Sequence, residues 1–257
     1  MIKAVFLDFD STTFSHVTKK IPDSAFNAIT KAQARGIKIF LSTGRDIKQI
    51  QDFDCQGIKF DGYVLDNGQL LLDKDLNILE VIYMEGNNRE QVLDWYKNKK
   101  MPIMIQTREE GYVNYLSPYA INILKSADSD MPPVKEMIDE EILVATVFLK
   151  NEEERKYIID SFKDANVTWW HPLSCDIVPK NANKMRGILK ILDLYKYNLE
   201  EILAVGDGEN DIEMIEAVPH SVAMGNSVQL IKDAAEFITT DIDDDGIEKA
   251  FIKYKLI

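Results

Sequence analysis

At 257 residues, 46% hydrophobic and 28% charged, the chain can build one large domain or two smaller ones with substantial cores. Its net charge of −13 argues against a nucleic-acid partner, since phosphate-backbone binding needs clustered Lys and Arg. Small phosphorylated substrates stay open, because a bound divalent cation can reverse the local sign.

The first apolar run, Lys3 to Leu7, reads as a buried strand that ends in Asp8-Phe9-Asp10-Ser11-Thr12. It is about five residues long, far short of the roughly 20 of a membrane span, and no signal-peptide pattern surrounds it. Pro22 opens a helical pattern (Ala25, Ala28, Ile29, Ala32) that stops at Gly36. Ile37 to Leu41 is a second strand, ending in Ser42-Thr43-Gly44-Arg45. Strand, helix and strand make a βαβ unit, so the two strand ends should lie side by side. Asp61 to Asp66 is a third strand, and the Asn67-Gly68 turn leads into a hairpin through Leu72 and on to Tyr83.

From residue 84 the texture changes. Helical stretches (88–98, 151–163) alternate with strand-like runs (102–106, 111–115, 143–149, 167–170, 174–178), and a polar, proline-containing segment, 126–133, divides them. This predicts a separate α+β unit over 84–181, inserted into a core of 1–83 and 182–257. The core resumes with a helix over 183–194 and a buried strand, Ile202 to Val205. That strand ends in Gly206-Asp207-Gly208-Glu209-Asn210-Asp211. Helix and strand alternate again to the end of the chain, closing with a helix over 245–254. The fold class is therefore α/β, with a Rossmann-like parallel sheet and an inserted α+β domain. Cys55 and Cys175 read as two free thiols of a cytoplasmic protein. His16, His171 and His220 lack zinc-ligand spacing.

Two acidic strand ends carry the chemistry. Strand alternation points Asp8 and Asp10 the same way, so their charges crowd one volume unless a cation sits there. Carboxylates from different strand ends supply the hard oxygens that Mg²⁺ prefers. For the 206–211 segment a helix N-cap is the alternative reading.

Together these motifs resemble the haloacid dehalogenase superfamily, in its Cof-type subgroup with a large α/β cap. Asp8 to Thr12 is similar to the family's DxDxT, Ser42 to Arg45 to its hydroxyl-Gly-Arg motif, and Gly206 to Asp211 to GDGxND. Lys184 matches the lysine motif, followed here by Met-Arg-Gly, and the tail segments 223–226 and 244–247 also look like this subgroup. Ser11 stands where Gly is commoner, and Thr13 where Leu is.

The resemblance implies a Mg²⁺-dependent phosphatase of small phosphorylated metabolites, sugar phosphates foremost. Asp8 would be the nucleophile, forming an aspartyl-phosphate, and Asp10 the general acid and base. Asp8, the Asp10 carbonyl and Asp207 would hold the metal, with Asp211 in or behind that shell. Thr43, Gly44, Lys184 and Asn210 would bind the phosphoryl group. A cap hinged near residues 84 and 181 would admit substrate and exclude water. A phosphomutase is the alternative, and a non-catalytic phosphometabolite-binding regulator a further one. Arg45 could meet substrate or pair with a carboxylate. Asn67 is read as a turn residue that could line the site. His171, with Trp169 and Trp170, could select substrate or sit in an aromatic cluster. Asp176 and Asn181 lie near the return to the core.

Overall fold

The computed structural model describes residues 1–53, 55–136 and 140–257. In chain order, β1 (Ala4–Leu7), α1 (Asp23–Ala34), β2 (Lys38–Ser42), α2 (Ile47–Asp52), β3 (Gly62–Leu65), β4 (Leu70–Asp73) and β5 (Ile78–Val81) open the chain. Next come α3 (Gly86–Lys97), β6 (Ile103–Gln106), β7 (Gly111–Val113), α4 (Pro118–Ser126), β8 (Val144–Phe148), α5 (Glu154–Ser161), β9 (Ala165–His171) and β10 (Ser174–Pro179). The chain closes with α6 (Lys184–Tyr195), β11 (Ile202–Gly206), α7 (Ile212–Ala217), β12 (Ser221–Ala223), α8 (Gln229–Ala234), β13 (Phe237–Ile238) and α9 (Gly246–Lys253). Two compact units result, one of Met1–Val81 with Asn183–Ile257, the other of Ile82–Ala182.

The first unit is built on an eight-stranded sheet in the order β13-β12-β11-β1-β2-β3-β4-β5. Every pairing from β13 to β3 is parallel, and the β3–β4–β5 end is an antiparallel hairpin. Alternation along β1 explains the layers. Val5 and Leu7 pack with Ala28 and Ile29 of α1 and Ala250 and Phe251 of α9, while Ala4 and Phe6 pack with Ile188 of α6 and Met214 of α7. β1 lies at the switch point, since the chain moves outward through β2 on one side and β11 on the other. Ligands bind outside the carboxyl ends of strands at such a point. The registers pair Leu7 with both Leu41 and Val205, so all three acidic or hydroxyl-bearing strand ends emerge together.

The second unit is a five-stranded antiparallel sheet, β7-β6-β8-β10-β9. Trp95 of α3 and Ile158 of α5 cover the face that carries Ile103, Val147 and Cys175. Ile123 and Leu124 of α4 pack with Phe148 on another cluster. Two helices, α2 and α4, go beyond the sequence-based reading. The first is only six residues long and is held by a capping box between Asp46 and Gln49. The second starts at an N-cap, Ser117, followed by Pro118. Predicted helix 151–163 is shorter, Glu154–Ser161. Both cysteines are free. Among the described residues, no helix is long and apolar enough to cross a membrane.

Candidate active site

Asp8 follows the last residue of β1 and is buried, as is Lys184 at the start of α6. Lys184 Nζ donates to Asp8 Oδ1 and to Asp211 Oδ1, both at 2.6 Å. Burial works against the ammonium charge, but Asp211 and Asp8 outweigh it and hold the group above its ordinary range. The Asp8 carboxyl is pushed well up by burial, with Lys184 pulling the other way and Asp211, Asp207 and Asp10 adding repulsion.

Asp211 ends the 3-10 turn Glu209–Asp211 that follows β11. Its Oδ2 accepts from the backbone amides of Asp207 at 2.9 Å and Gly208 at 3.0 Å. Gly206 is needed here, because a Cβ at that position would meet the Asp211 carboxylate at 2.6 Å. Asp207 Oδ1 accepts from Thr12 Oγ1 at 2.7 Å. Burial, followed by the Asp211 charge, pushes the Asp207 carboxyl up to about 7, although part of its surface still reaches solvent.

Asp8, Asp207 and Asp211 offer ligand atoms within 4.8 Å of one another. Protein donors reach one oxygen of Asp8 and one of Asp207, and among the described residues the second oxygen of each accepts none. Three crowded carboxylates with one ammonium and two free oxygens fit a hard divalent cation. Asp211 differs, because both of its oxygens already accept protein donors.

Asp10 belongs to another set of contacts. Arg45 donates through Nε to Oδ1 and Oδ2 at 3.0 and 2.7 Å, and through Nη2 to Oδ1 at 2.8 Å. His16 Nε2 lies 2.7 Å from Oδ1. Burial opposes the anion, yet the His16 bond and the Arg45 charge hold the carboxyl down at about 2. Of the two roles open to Arg45, the carboxylate pair is therefore present. The ring of Phe53, just after α2, backs this clamp. The Arg45 guanidinium sits 4.6 Å above it, and His16, Phe9 and Phe14 meet it edge-on.

Thr43 follows β2 and is buried, and Thr43 Oγ1 accepts from the Arg45 amide at 3.1 Å. Gly44 and Asn210 are half-buried, the latter with its amide oxygen over Gly208. Asn67 is buried in the same unit, against Gly44. In the second unit, Asp176 accepts from Thr146 and from the Trp170 indole, and Trp169 packs under Arg155. His171 Nδ1 accepts from the Leu173 amide, and Asn181 is exposed.

Three participants escape sequence reasoning. His16 sits six residues beyond Asp10 in a polar loop without any pattern to mark it. Asn226 donates to the Ser11 carbonyl at 2.8 Å and accepts from the Ile242 amide, tying the tail to the acidic loop. Thr13 bonds back to the Asp8 carbonyl at 2.6 Å. The segments around Thr13 and Asn226 had a visible signal, the family-like strings, but their hydrogen bonds did not.

A profile of haloacid dehalogenase-like hydrolases matches residues 5–251. The chain belongs to that family. It is 29% identical over 254 residues to the Bacillus subtilis (strain 168) protein named "Putative phosphatase YkrA", covering 96% of each chain. Among solved structures it resembles BT1666 of Bacteroides thetaiotaomicron, described among phosphatases of the superfamily, with a TM-score of 0.91 and 28% identity over 100% of this chain and 96% of that one. It likewise resembles the subclass IIB sugar phosphatase BT4131, with a TM-score of 0.88 and 28% identity over 99% of this chain and 100% of the other. The protein is a haloacid dehalogenase-type phosphatase, and its acidic cluster is compatible with metal binding.

Proposed function

We propose that the protein is a Mg²⁺-dependent phosphatase of small phosphorylated metabolites, sugar phosphates first among them, acting through an aspartyl-phosphate on Asp8. The observation that carries this reading is the Asp8 carboxylate itself. It is buried at a strand end, tethered through one oxygen to Lys184, and carries a second oxygen that no donor among the described residues satisfies.

Asp8 attacks phosphorus, a bond forms between its oxygen and phosphorus, and the bond to the leaving oxygen breaks. Asp10 supplies the proton that the leaving oxygen needs. Water then attacks the aspartyl-phosphate, Asp10 takes its proton, and orthophosphate leaves. With Arg45 and His16 on it, Asp10 is in its anionic, base-ready form. The acid step requires it to take up a proton and yield part of that fork. Thr43, Gly44, Lys184 and Asn210 are the proposed partners of the phosphoryl oxygens, whose charge grows in the transition state. Asp8, Asp207 and the Asp10 carbonyl would hold Mg²⁺, with Asp211 fixing Lys184 and the loop behind. When bound, the metal supplies charge neutralisation at the phosphoryl group. We propose that the unit Ile82–Ala182 serves as the cap.

The test is orthophosphate release from a panel of phosphorylated metabolites by the full chain with Mg²⁺. Hydrolysis of hexose phosphates, its loss in EDTA and its loss in Asp8→Asn are the expected results. Undiminished turnover by Asp8→Asn would overturn the mechanism, and a preference for nucleotides would overturn the substrate class.

A further inference from the structure

Residues 66–68 hold three consecutive left-handed backbone positions, with φ of 50° at Asp66, 53° at Asn67 and 89° at Gly68. Side chains other than glycine are strained there and persist only where the surroundings over-determine them. A turn whose one task is to reverse the chain from β3 to β4 would sit at the surface. This one does not: Asp66, Asn67 and Gln69 are all buried.

Its neighbours explain the burial. The Asp66 amide donates to the Arg45 carbonyl at 3.3 Å and the Asn67 amide to the Thr43 carbonyl at 3.2 Å, so the turn is bonded to both residues that flank Gly44. The Asn67 carboxamide lies against Gly44 itself, where an added Cβ would come within 3.1 Å of Oδ1 and 3.3 Å of Nδ2. On its other side, a Cβ at Gly68 would fall 2.0 Å from the Asn183 carbonyl oxygen and 3.3 Å from the Lys184 amide. Asn183 caps α6 by accepting from the Arg186 amide at 2.7 Å, so its position sets where Lys184 begins. The turn is wedged between the two segments assigned above to the phosphoryl oxygens.

We infer that Asn67 is a positioning residue for the phosphoryl pocket: turn 66–68 spaces the Thr43-Gly44 loop from Lys184, and the Asn67 carboxamide braces Gly44. The inference rests on the phosphatase reading of this site. A carboxamide suits the place for two reasons. Asn tolerates the left-handed conformation better than most side chains, and it is neutral beside a loop that must accept an anion. Asp shares its shape and its backbone tolerance but not its neutrality.

The experiment compares wild type, Asn67→Gly and Asn67→Asp, with p-nitrophenyl phosphate as substrate and orthophosphate as ligand, both with Mg²⁺. Glycine keeps the backbone and removes the brace. Its thermal midpoint should stay level or rise, while KM and the orthophosphate dissociation constant climb together by about tenfold, with kcat less affected. Asn67→Asp should weaken orthophosphate binding at least as much, though its shape is retained. A residue that merely forms the turn would move neither constant. Wild-type KM and orthophosphate affinity in either folded variant therefore overturns the inference. Calorimetric titration with orthophosphate reads the pocket without turnover, so it decides this point even if hydrolysis is absent. By contrast, failure of the phosphatase reading would show as no hydrolysis by wild type, or as full activity in Asp8→Asn.

Discussion

Ser11 adopts φ of 59° between the two halves of the acidic loop, a conformation that suits glycine better than serine. Ser11→Gly should raise stability by a few tenths to about 1 kcal/mol, the strain relieved exceeding the added freedom of the unfolded chain. Urea unfolding would read it, and a loss of stability would show that the serine side chain contributes more than it strains. Lys184 makes the opposite case. It is the buried cation between Asp8 and Asp211, so Lys184→Met strands two carboxylates without their partner. The expected cost is about 3–5 kcal/mol in metal-free protein, alongside loss of turnover. Partial recovery of stability by Mg²⁺ but not of turnover would separate the two roles.

Short elements matter here because they place single side chains. Helix α2 has six residues and too few turns to be stable alone, so its capping box is a large share of what holds it. Its last turn leads to Phe53, the platform beneath Arg45 and His16. Asp46→Ala removes the bond from the Gln49 amide and should cost about 1 kcal/mol. It should also loosen the clamp on Asp10, seen as a fall in kcat larger than the change in global stability predicts. An unchanged kcat would mean that Phe53 is held by its aromatic neighbours alone. Helix α2 is poorly legible in the sequence because it lacks the repeats of apolar spacing that longer helices such as α6 show. The strands were legible because their apolar runs end sharply at Asp8, Ser42 and Gly206.

At the scale of the whole molecule, the acidic cluster ties stability to pH and, through the proposed metal site, to Mg²⁺. The ordinary carboxyl value for Asp207 is 3.8, and burial with the Asp211 charge lifts it to about 7 in the folded protein. Between those values the folded state keeps a proton that the unfolded state has released. Raising the pH through that window therefore weakens the metal-free fold. Asp10 runs the other way, because its folded carboxyl sits at about 2 and its contribution is lost only as the pH falls from 3.8 toward that value. In EDTA, the Asp207 contribution should favour the fold at pH 5.5 over pH 8. The stabilisation gained on adding Mg²⁺ should be larger at pH 8, where no proton competes for the ligand oxygens. Thermal unfolding in both buffers checks this, and an equal Mg²⁺ shift at the two pH values would remove Asp207 from the metal's ligands.

Local sequence alone marked the parallel core, the acidic strand ends and the family, because a buried strand that stops in carboxylates leaves a short-range pattern of residue types. Only the tertiary structure decided how those charges are shared. Lys184 lies 176 residues from Asp8 and 27 from Asp211, yet one ammonium bonds to both. Arg45 and His16 meet on Asp10 from different loops, and Asn67 reaches Gly44 from the turn after a neighbouring strand. Pairings of this kind depend on strand register and on how closely two backbones approach, and neither quantity is written in the spacing of residues along the chain.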